Sequence, residues 1–277
     1  MKCIFSIQLK DKSMFNYSEY RVSKGMSFFV KKIWTLDNLN ERSIVMDKAA
    51  LPNGCFNIAI IRGKGLDITH KEKLIQLKKG IYFCGQMTES LSIEIHPYSR
   101  ATMIQLFPWT PVCFTDLDMA NYTDGFCEAT DILPGLSDDE DLANSDICRA
   151  LILKWSPLLK ESIAAKNLHL SISLIMKTSG DINIESVSKA MECSIRYLQK
   201  LFKKGLGLSP KKFANIIKLR NIVDGLAYGD NSGVNLTTVA VNHNFYDQAH
   251  FTNAFQNMIK TSPGQFDGKD YFLSYIK

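Results

Sequence analysis

Two stretches of the C-terminal hundred residues carry the same apolar spacing, and this repeat constrains the fold more than any other feature of the chain. Set against itself with a shift of 53, the sequence places Leu198 on Phe251, Leu201 on Ala254 and Phe202 on Phe255. Just upstream, a shift of 52 places Val187 on Val239 and Ser188 on Ala240. In the first copy Ile195, Leu198, Leu201 and Phe202 share one face at helical spacing. Ser194 is a good N-cap and Gly205 reads as a stop, which predicts a helix over Ser194–Lys204. Ile184–Met191 reads as a shorter helix before it, with Ile184, Val187 and Met191 turned inward. Two short helices joined by a tight turn make a helix-turn-helix. Between the copies, Ser209-Pro210 opens a long helix lined by Phe213, Ile216, Ile217, Val223 and Leu226, with Gly229 just past its end. Such a helix would fix the distance between two recognition helices. Successive major-groove faces lie about 34 Å apart, so one module can read two turns of DNA.

The face opposite the apolar stripe sets the chemistry. Arg196, Lys200 and Lys203 fall together there, with Gln199 and Lys204 beside them. Arg and Lys reach guanine edges or phosphates, and Gln pairs with adenine. The formal net charge of +5 is unevenly spread. Residues 1–167 balance 20 basic against 20 acidic side chains, residues 168–220 hold 10 against 3, and residues 221–277 hold 3 against 5. A basic region of about fifty residues points to a polyanion, nucleic acid first; a solvated lysine-rich face is the plain alternative. The second copy offers Ala249, Asn253 and Gln256 where the first offers Arg196, Lys200 and Lys203. Gln248 and Asn253 can still form neutral hydrogen bonds. The candidate DNA-binding residues are therefore Ser194, Arg196, Gln199, Lys200, Lys203, Lys204, Gln248 and Asn253.

These residues resemble the AraC/XylS family of bacterial transcription regulators over roughly residues 168–266. IESVSKAMECSIRYLQKLFKKGLGLSPKKF is similar to the family's first helix-turn-helix, and TTVAVNHNFYDQAHFTNAFQNMIKTSPGQF to its second. Phe245, Phe251, Phe255 and the Pro263…Phe266 ending carry the second match. The resemblance implies double-stranded promoter DNA as partner, contact with RNA polymerase, and a module that acts singly or is duplicated by dimerisation. Several positions depart from the pattern. The turn glycine of the second copy is Asn244, and the equivalent first-copy position is Glu192, which enters a left-handed conformation less readily. The arginine that opens the linker-helix signature is Lys218, the small residue after it is Ile222, and the glycine before the last proline is Lys260.

Residues 1–135 read as mainly β. Ser27–Trp34, Phe56–Ile61, Ile81–Cys84, Leu91–Ile95 and Ala101–Phe107 are short Ile-, Phe- and Val-rich runs between turn signals at Pro52-Asn53-Gly54, Gly63-Lys64-Gly65, Lys79-Gly80 and His96-Pro97. Their spacing suggests a small barrel or sandwich. LPNGCFNIAIIRG and GQMTESLSIEIHPYSRATMIQLFP resemble a β-barrel domain of uncharacterised function, which implies a cupin-like sensor or dimerisation domain. Trp34, Phe56, Tyr82, Phe83, Met103, Phe107 and Trp109 can line an effector pocket or simply fill the core. Only His70 and His96 lie in this region, without H-x-H spacing, and Glu94 with His96 falls short of a ligand set, so no metal is expected. No nucleophile triad, P-loop or G-x-G-x-x-G is present, and neither enzymatic activity nor a cofactor is expected.

The seven cysteines are scattered, without C-x-x-C spacing. That suits a reduced, cytoplasmic protein, with Cys193 the best placed for redox sensing, although a small buried turn residue explains it as well. The longest apolar runs are far short of the ~20 residues that span a bilayer, so no membrane is expected. Ser137–Asp141 reads as an acidic helix start, followed by a helical pattern broken near Pro157 and again at Lys166-Asn167.

The expected fold is thus α+β. A small N-terminal cupin-like β-barrel over 1–135 and a helical linker over 136–167 precede an all-α domain over 168–277, which holds two helix-turn-helix motifs joined by a long helix. The expected function is promoter binding modulated by a small-molecule effector, a homodimer contact, or both. A ligand-binding or protein-interaction protein whose helix-turn-helix has lost strong DNA affinity is the alternative.

Overall fold

The computed structural model of the chain describes residues 16–20, 22, 24–38, 45–132, 162–228 and 236–271. The acidic stretch at Ser137–Asp141, the break near Pro157 and the stop at Gly229 lie outside the described residues.

Among the described residues, ten strands form two antiparallel sheets. The larger has the order β1 (Asn16–Tyr20), β2 (Val30–Asn38), β9 (Ser99–Leu106), β4 (Phe56–Arg62), β7 (Gly80–Cys84), β10 (Phe126–Glu128). The smaller has the order β3 (Val45–Ala50), β8 (Leu91–Ile95), β5 (Leu66–His70), β6 (Lys73–Leu77). The larger sheet is buried on both faces, which is why Phe56–Ile61 reads as a continuous apolar run rather than an alternating one. Trp34, Leu36, Ala59 and Ile61 pack against Leu66, Ile68, Leu91 and Ile95 of the smaller sheet. Ile33, Phe56, Ile58, Phe83 and Ile104 point the other way, onto Cys113, Phe114, Met119 and Ile132. All five expected strands are present. The first is displaced: Lys24–Met26 forms a 3-10 turn, and β2 starts at Val30 and runs on to Asn38.

Six α-helices follow among the described residues: α1 (Ile163–Lys177), α2 (Ile184–Ala190), α3 (Ile195–Leu206), α4 (Pro210–Tyr228), α5 (Leu236–Asn242) and α6 (Gln248–Ile259). Ser162 caps α1 by accepting from the Ala165 amide at 3.0 Å. The helix runs unbroken through Lys166-Asn167, where the sequence suggested an interruption. Its buried stripe of Leu168, Ile172 and Ile175 outweighs the weak helix propensity of Asn167, whose amide turns outward to donate to the Tyr197 hydroxyl. Phe202, Phe213, Phe251 and Phe255 are fully buried in one core with these residues, each contributing about 1.5–3 kcal/mol of burial. Trp109 and Leu51 of the β domain belong to the same core, so the two halves share apolar packing.

Candidate nucleic-acid interface

The repeat in the sequence is a repeat in the backbone. Helices α3 and α6 each span 12 residues and are offset by 53; α2 and α5 each span 7 and are offset by 52. The turns match residue for residue. Glu192 and Asn244 both take left-handed backbone, at φ 49° and 52°. After them the amides of Cys193 and Phe245 donate to the carbonyls of Ser188 and Ala240, at 3.0 and 2.9 Å. Glu192 thus occupies the conformation it enters less readily, because the turn closes only that way. The caps also correspond. Ser194 accepts from the Tyr197 amide at 3.1 Å, and Asp247 accepts from the His250 amide at 2.6 Å. Each helix ends on a left-handed residue, Gly207 at φ 80° and Lys260 at φ 67°.

The stop of α3 is therefore Gly207, and the expected stop at Gly205 is corrected. Gly205 lies inside the helix, where a Cβ would come within 2.5 Å of Leu168 and 3.1 Å of Val112; it is glycine for close packing. Ile195 is corrected too: placed on the inward face by its spacing, it is 39% exposed at the first turn.

Ser194, Arg196, Gln199, Lys200, Lys203 and Lys204 are all exposed on α3, opposite the buried Leu198 and Phe202. The Lys203 ammonium donates to the Gly207 carbonyl at 3.3 Å, near the C-terminal end of the helix dipole. On α6 the exposed positions are Gln248, Ala249, His250, Asn253, Gln256 and Asn257, none of them Lys or Arg, so the two recognition helices differ by charge and not by placement.

Both recognition helices rest their C-terminal ends on the β domain. Thr123 donates to the Gly207 carbonyl at 3.1 Å. The Ser90 amide donates to the Met258 carbonyl at 2.7 Å, its hydroxyl to the Ile259 carbonyl at 3.0 Å, and Lys260 pairs with Glu89. These contacts satisfy carbonyls that a helix end leaves without intrahelical partners. The N-terminal turns, which reach base edges in this class of motif, face away from the contacts and are exposed.

Lys218 fixes the linker helix in place. Its ammonium donates to Asp181 Oδ1 at 2.8 Å and to the His243 carbonyl at 3.0 Å, and it lies 5.4 Å from the Phe245 ring centroid. Asn244 donates to Asp181 Oδ2 at 2.6 Å. The hydrogen bond from Lys218, reinforced by that from Asn244, holds the Asp181 carboxyl below the usual carboxylate range. One lysine thus ties α4 to the α1–α2 turn and to the α5–α6 turn. The linkage was not legible in the sequence, because its partners are 37 and 25 residues away.

The β-domain residues separate into different environments. Of the seven expected pocket residues, Trp34 and Met103 line a cavity. Phe56 and Phe83 fill the core on the other face of the sheet, Tyr82 packs against the inter-sheet core, and Phe107 and Trp109 stack at 4.6 Å against the helical half. His96 pairs with Asp67 at 3.1 Å rather than with Glu94, and His70 is buried against Asp124 at 3.2 Å. Burial raises the thiols of Cys55, Cys84, Cys113 and Cys127, the second to about 12 and the last two to about 11. Cys193 is half-buried against the module core.

Residues 187–269 match the family described as a helix-turn-helix domain, and residues 18–128 match a domain of unknown function, DUF6597. The chain is 32% identical over 98 residues to the HTH-type transcriptional regulator MtrA of Neisseria gonorrhoeae, covering 35% of this chain and 32% of that protein. It is 25% identical over 144 residues to the HTH-type transcriptional activator RhaS of Escherichia coli (strain SE11), covering 49% and 51%. The chain thus spans about a third to a half of the length of these relatives. A solved structure of ToxT from Vibrio cholerae aligns over 84% of this chain and 95% of its own, at 9% identity and a TM-score of 0.44. The C-terminal module is an AraC-type helix-turn-helix domain, preceded by an antiparallel β domain, as in an AraC/XylS-type regulator. No helix among the described residues is long and apolar enough to cross a membrane.

Proposed function

We propose that the chain is a sequence-specific DNA-binding transcription regulator of the AraC/XylS type, with the first helix-turn-helix supplying most of the affinity. The observation that carries this reading is the exposed stripe of Arg196, Gln199, Lys200, Lys203 and Lys204 on a recognition helix whose first turn is unobstructed. Ser194 and Arg196 at the helix entry, with Gln199 and Lys200 one turn on, are the base-reading candidates; Lys203 and Lys204 hold phosphates. Gln248 and Asn253 supply neutral contacts from the second copy. Bound effector, a second copy of the chain, or contact with RNA polymerase would act by linkage, shifting the placement of the module relative to the β domain. A dimer would double the phosphate contacts, which suits the affinity of specific sites. The absence of charge from the exposed turn of α6 is the one observation that favours a module of weakened DNA affinity, and the basic stripe on α3 stands against it.

Selection of duplexes from a random pool by the full-length protein tests the reading. A recurrent sequence, protected in footprinting and lost with Lys200→Ala, is expected. Retention of no sequence above background, by protein whose circular dichroism is that of a folded chain, would contradict it.

A further inference from the structure

The C-terminal ends of α3 and α6 are equivalent points of the repeat, and the two β-domain loops that hold them are bonded to each other. Residues 85–90, between β7 and β8, hold α6. Ser90 donates from its amide to the Met258 carbonyl and from its hydroxyl to the Ile259 carbonyl, and Glu89 pairs with Lys260. Residues 118–125, before β10, hold α3. Thr123 donates to the Gly207 carbonyl, and Gly207 lies so close that a Cβ there would be 2.5 Å from the Met119 carbonyl oxygen.

Asp124 joins the loops. Its carboxylate accepts from the Thr88 amide and from the Thr88 hydroxyl, each at 2.7 Å, and its own amide donates to the Gln86 carbonyl at 2.9 Å. The Gly85 amide donates to the Gly125 carbonyl at 3.0 Å. From the β5–β6 turn Lys71 donates to the same carboxylate at 2.6 Å, and the His70 imidazole lies 3.2 Å from it. The Asp124 side chain is 11% exposed, and its backbone is left-handed at φ 57°, a conformation that persists where the surroundings over-determine it. Asp124 follows Thr123 directly, and Thr88 stands two residues before Ser90. The contacts that run from the end of one recognition helix to the end of the other therefore pass through this carboxylate.

Lys218 braces the α5–α6 turn, at the opposite end of α6 from Ser90. A brace at each end fixes the direction of that helix as well as its position. Arg196, Lys200 and Asn253 are exposed with both loops in place, so docking on the β domain is compatible with reading DNA.

We propose that Asp124 is a positioning residue for DNA recognition. By joining the two loops it makes the β domain a gauge for the separation and tilt of α3 and α6, and so sets the spacing between the two half-sites that one chain accepts. The inference rests on the DNA-binding function proposed above. One inserted base pair moves a half-site by about 3.4 Å along the duplex and turns it by about 35°. A rigid pair of helices cannot follow that displacement without losing contacts, and a loosened pair can.

The full chain is titrated at fixed salt with a selected operator and with the same operator lengthened by one base pair between its halves. Wild type should bind the lengthened operator at least about fivefold more weakly, the effect of one mismatched base pair. In Asp124→Asn the ratio should fall below about twofold, through weaker binding of the original operator. Thr123→Val/Ser90→Ala, which cuts two of the outer bonds and leaves the Asp124 cluster whole, should lower the ratio likewise. That variant carries the test alone if circular dichroism shows Asp124→Asn unfolded. A merely structural role would weaken both operators by the same factor, and a β domain that holds the helices back from DNA would make the variants bind both more tightly. Either result, a wild-type ratio kept by the folded variants, or a wild type indifferent to the insertion would overturn the assignment and leave the DNA-binding reading standing. Failure of wild type to select any operator would overturn both.

Discussion

Replacing Lys218 by methionine keeps the length and the apolar stem of the side chain and removes its charge and its donors. In the folded protein this deletes a charge-assisted hydrogen bond to Asp181, a hydrogen bond to the His243 carbonyl and the approach to the Phe245 ring. The Lys218 side chain is 12% exposed, so little water replaces what is lost, whereas Asp181 is 31% exposed and keeps Asn244. A hydrogen bond to a charged group contributes about 1.5–3 kcal/mol, and the exposure of Asp181 places its share at the lower end. With about 1 kcal/mol for the carbonyl, the expected loss is about 2–3 kcal/mol. At about 2–4 °C per kcal/mol for a chain of this size class, the melting temperature should fall by about 4–12 °C. Lys218→Arg, which restores the residue usual in the AraC/XylS pattern, should lose less than half as much. The pH dependence has a definite sign. The folded-state pKa of Asp181 is lowered, so its contribution is complete above the unfolded value of about 3.9 and is lost as pH falls through the folded value. The gap between wild type and Lys218→Met should therefore narrow in acid. Melting curves at neutral pH and below pH 4 are the assay. A methionine variant within 1 °C of wild type, or a gap that widens in acid, would refute the claim that this lysine braces both copies.

Gly207→Ala should cost about 2–4 kcal/mol, from left-handed strain plus a Cβ placed 2.2 Å from Thr123 Oγ1 and 2.5 Å from the Met119 carbonyl; denaturant midpoints measure it. Asp124→Asn should destabilise the β domain by about 1.5–3 kcal/mol. Burial pushes the Asp124 carboxyl up, but hydrogen bonds from His70, Lys71 and Thr88 outweigh it and hold the pKa low. The Asp124→Asn penalty should therefore be full at neutral pH and vanish in acid, as thermal melts across pH will show. Lys203→Ala should lower the salt-dependence slope of DNA binding by about 0.9 while leaving sequence preference unchanged, read from titrations at several salt concentrations.

The helix-turn-helix pair was legible in the sequence because its apolar spacing is local and is stated twice. Its termini were less so. Gly205 satisfies every sequence criterion for a stop, and only Leu168 and Val112, packed on it from elsewhere in the chain, show that it is interior. In the β half, β4 and β9 announced themselves because their side chains are largely buried, and β7 and β8 through short apolar runs between turn signals. The β5–β6 hairpin did not. Its two-residue turn is Lys71-Glu72, both left-handed at φ 50° and 62°, where Asn-Gly would have given the signal. β1 is a short, polar edge strand with no alternation to read. The cavity lined by Trp34 and Met103 was glimpsed in the sequence, but its charged end was invisible: Lys31 and Arg220 are distant in sequence, and Lys31 is the extra residue of a bulge.

The central claim is that DNA is read chiefly by the first recognition helix. It is tested most directly by titrating Arg196→Ala, Lys200→Ala and Asn253→Ala against one selected operator at fixed salt. The first two should each lose at least about 1 kcal/mol of binding free energy, roughly fivefold in affinity, and Asn253→Ala clearly less. Equal damage from Asn253→Ala and Lys200→Ala, with unchanged circular dichroism, would mean that both copies read DNA alike and would contradict the account.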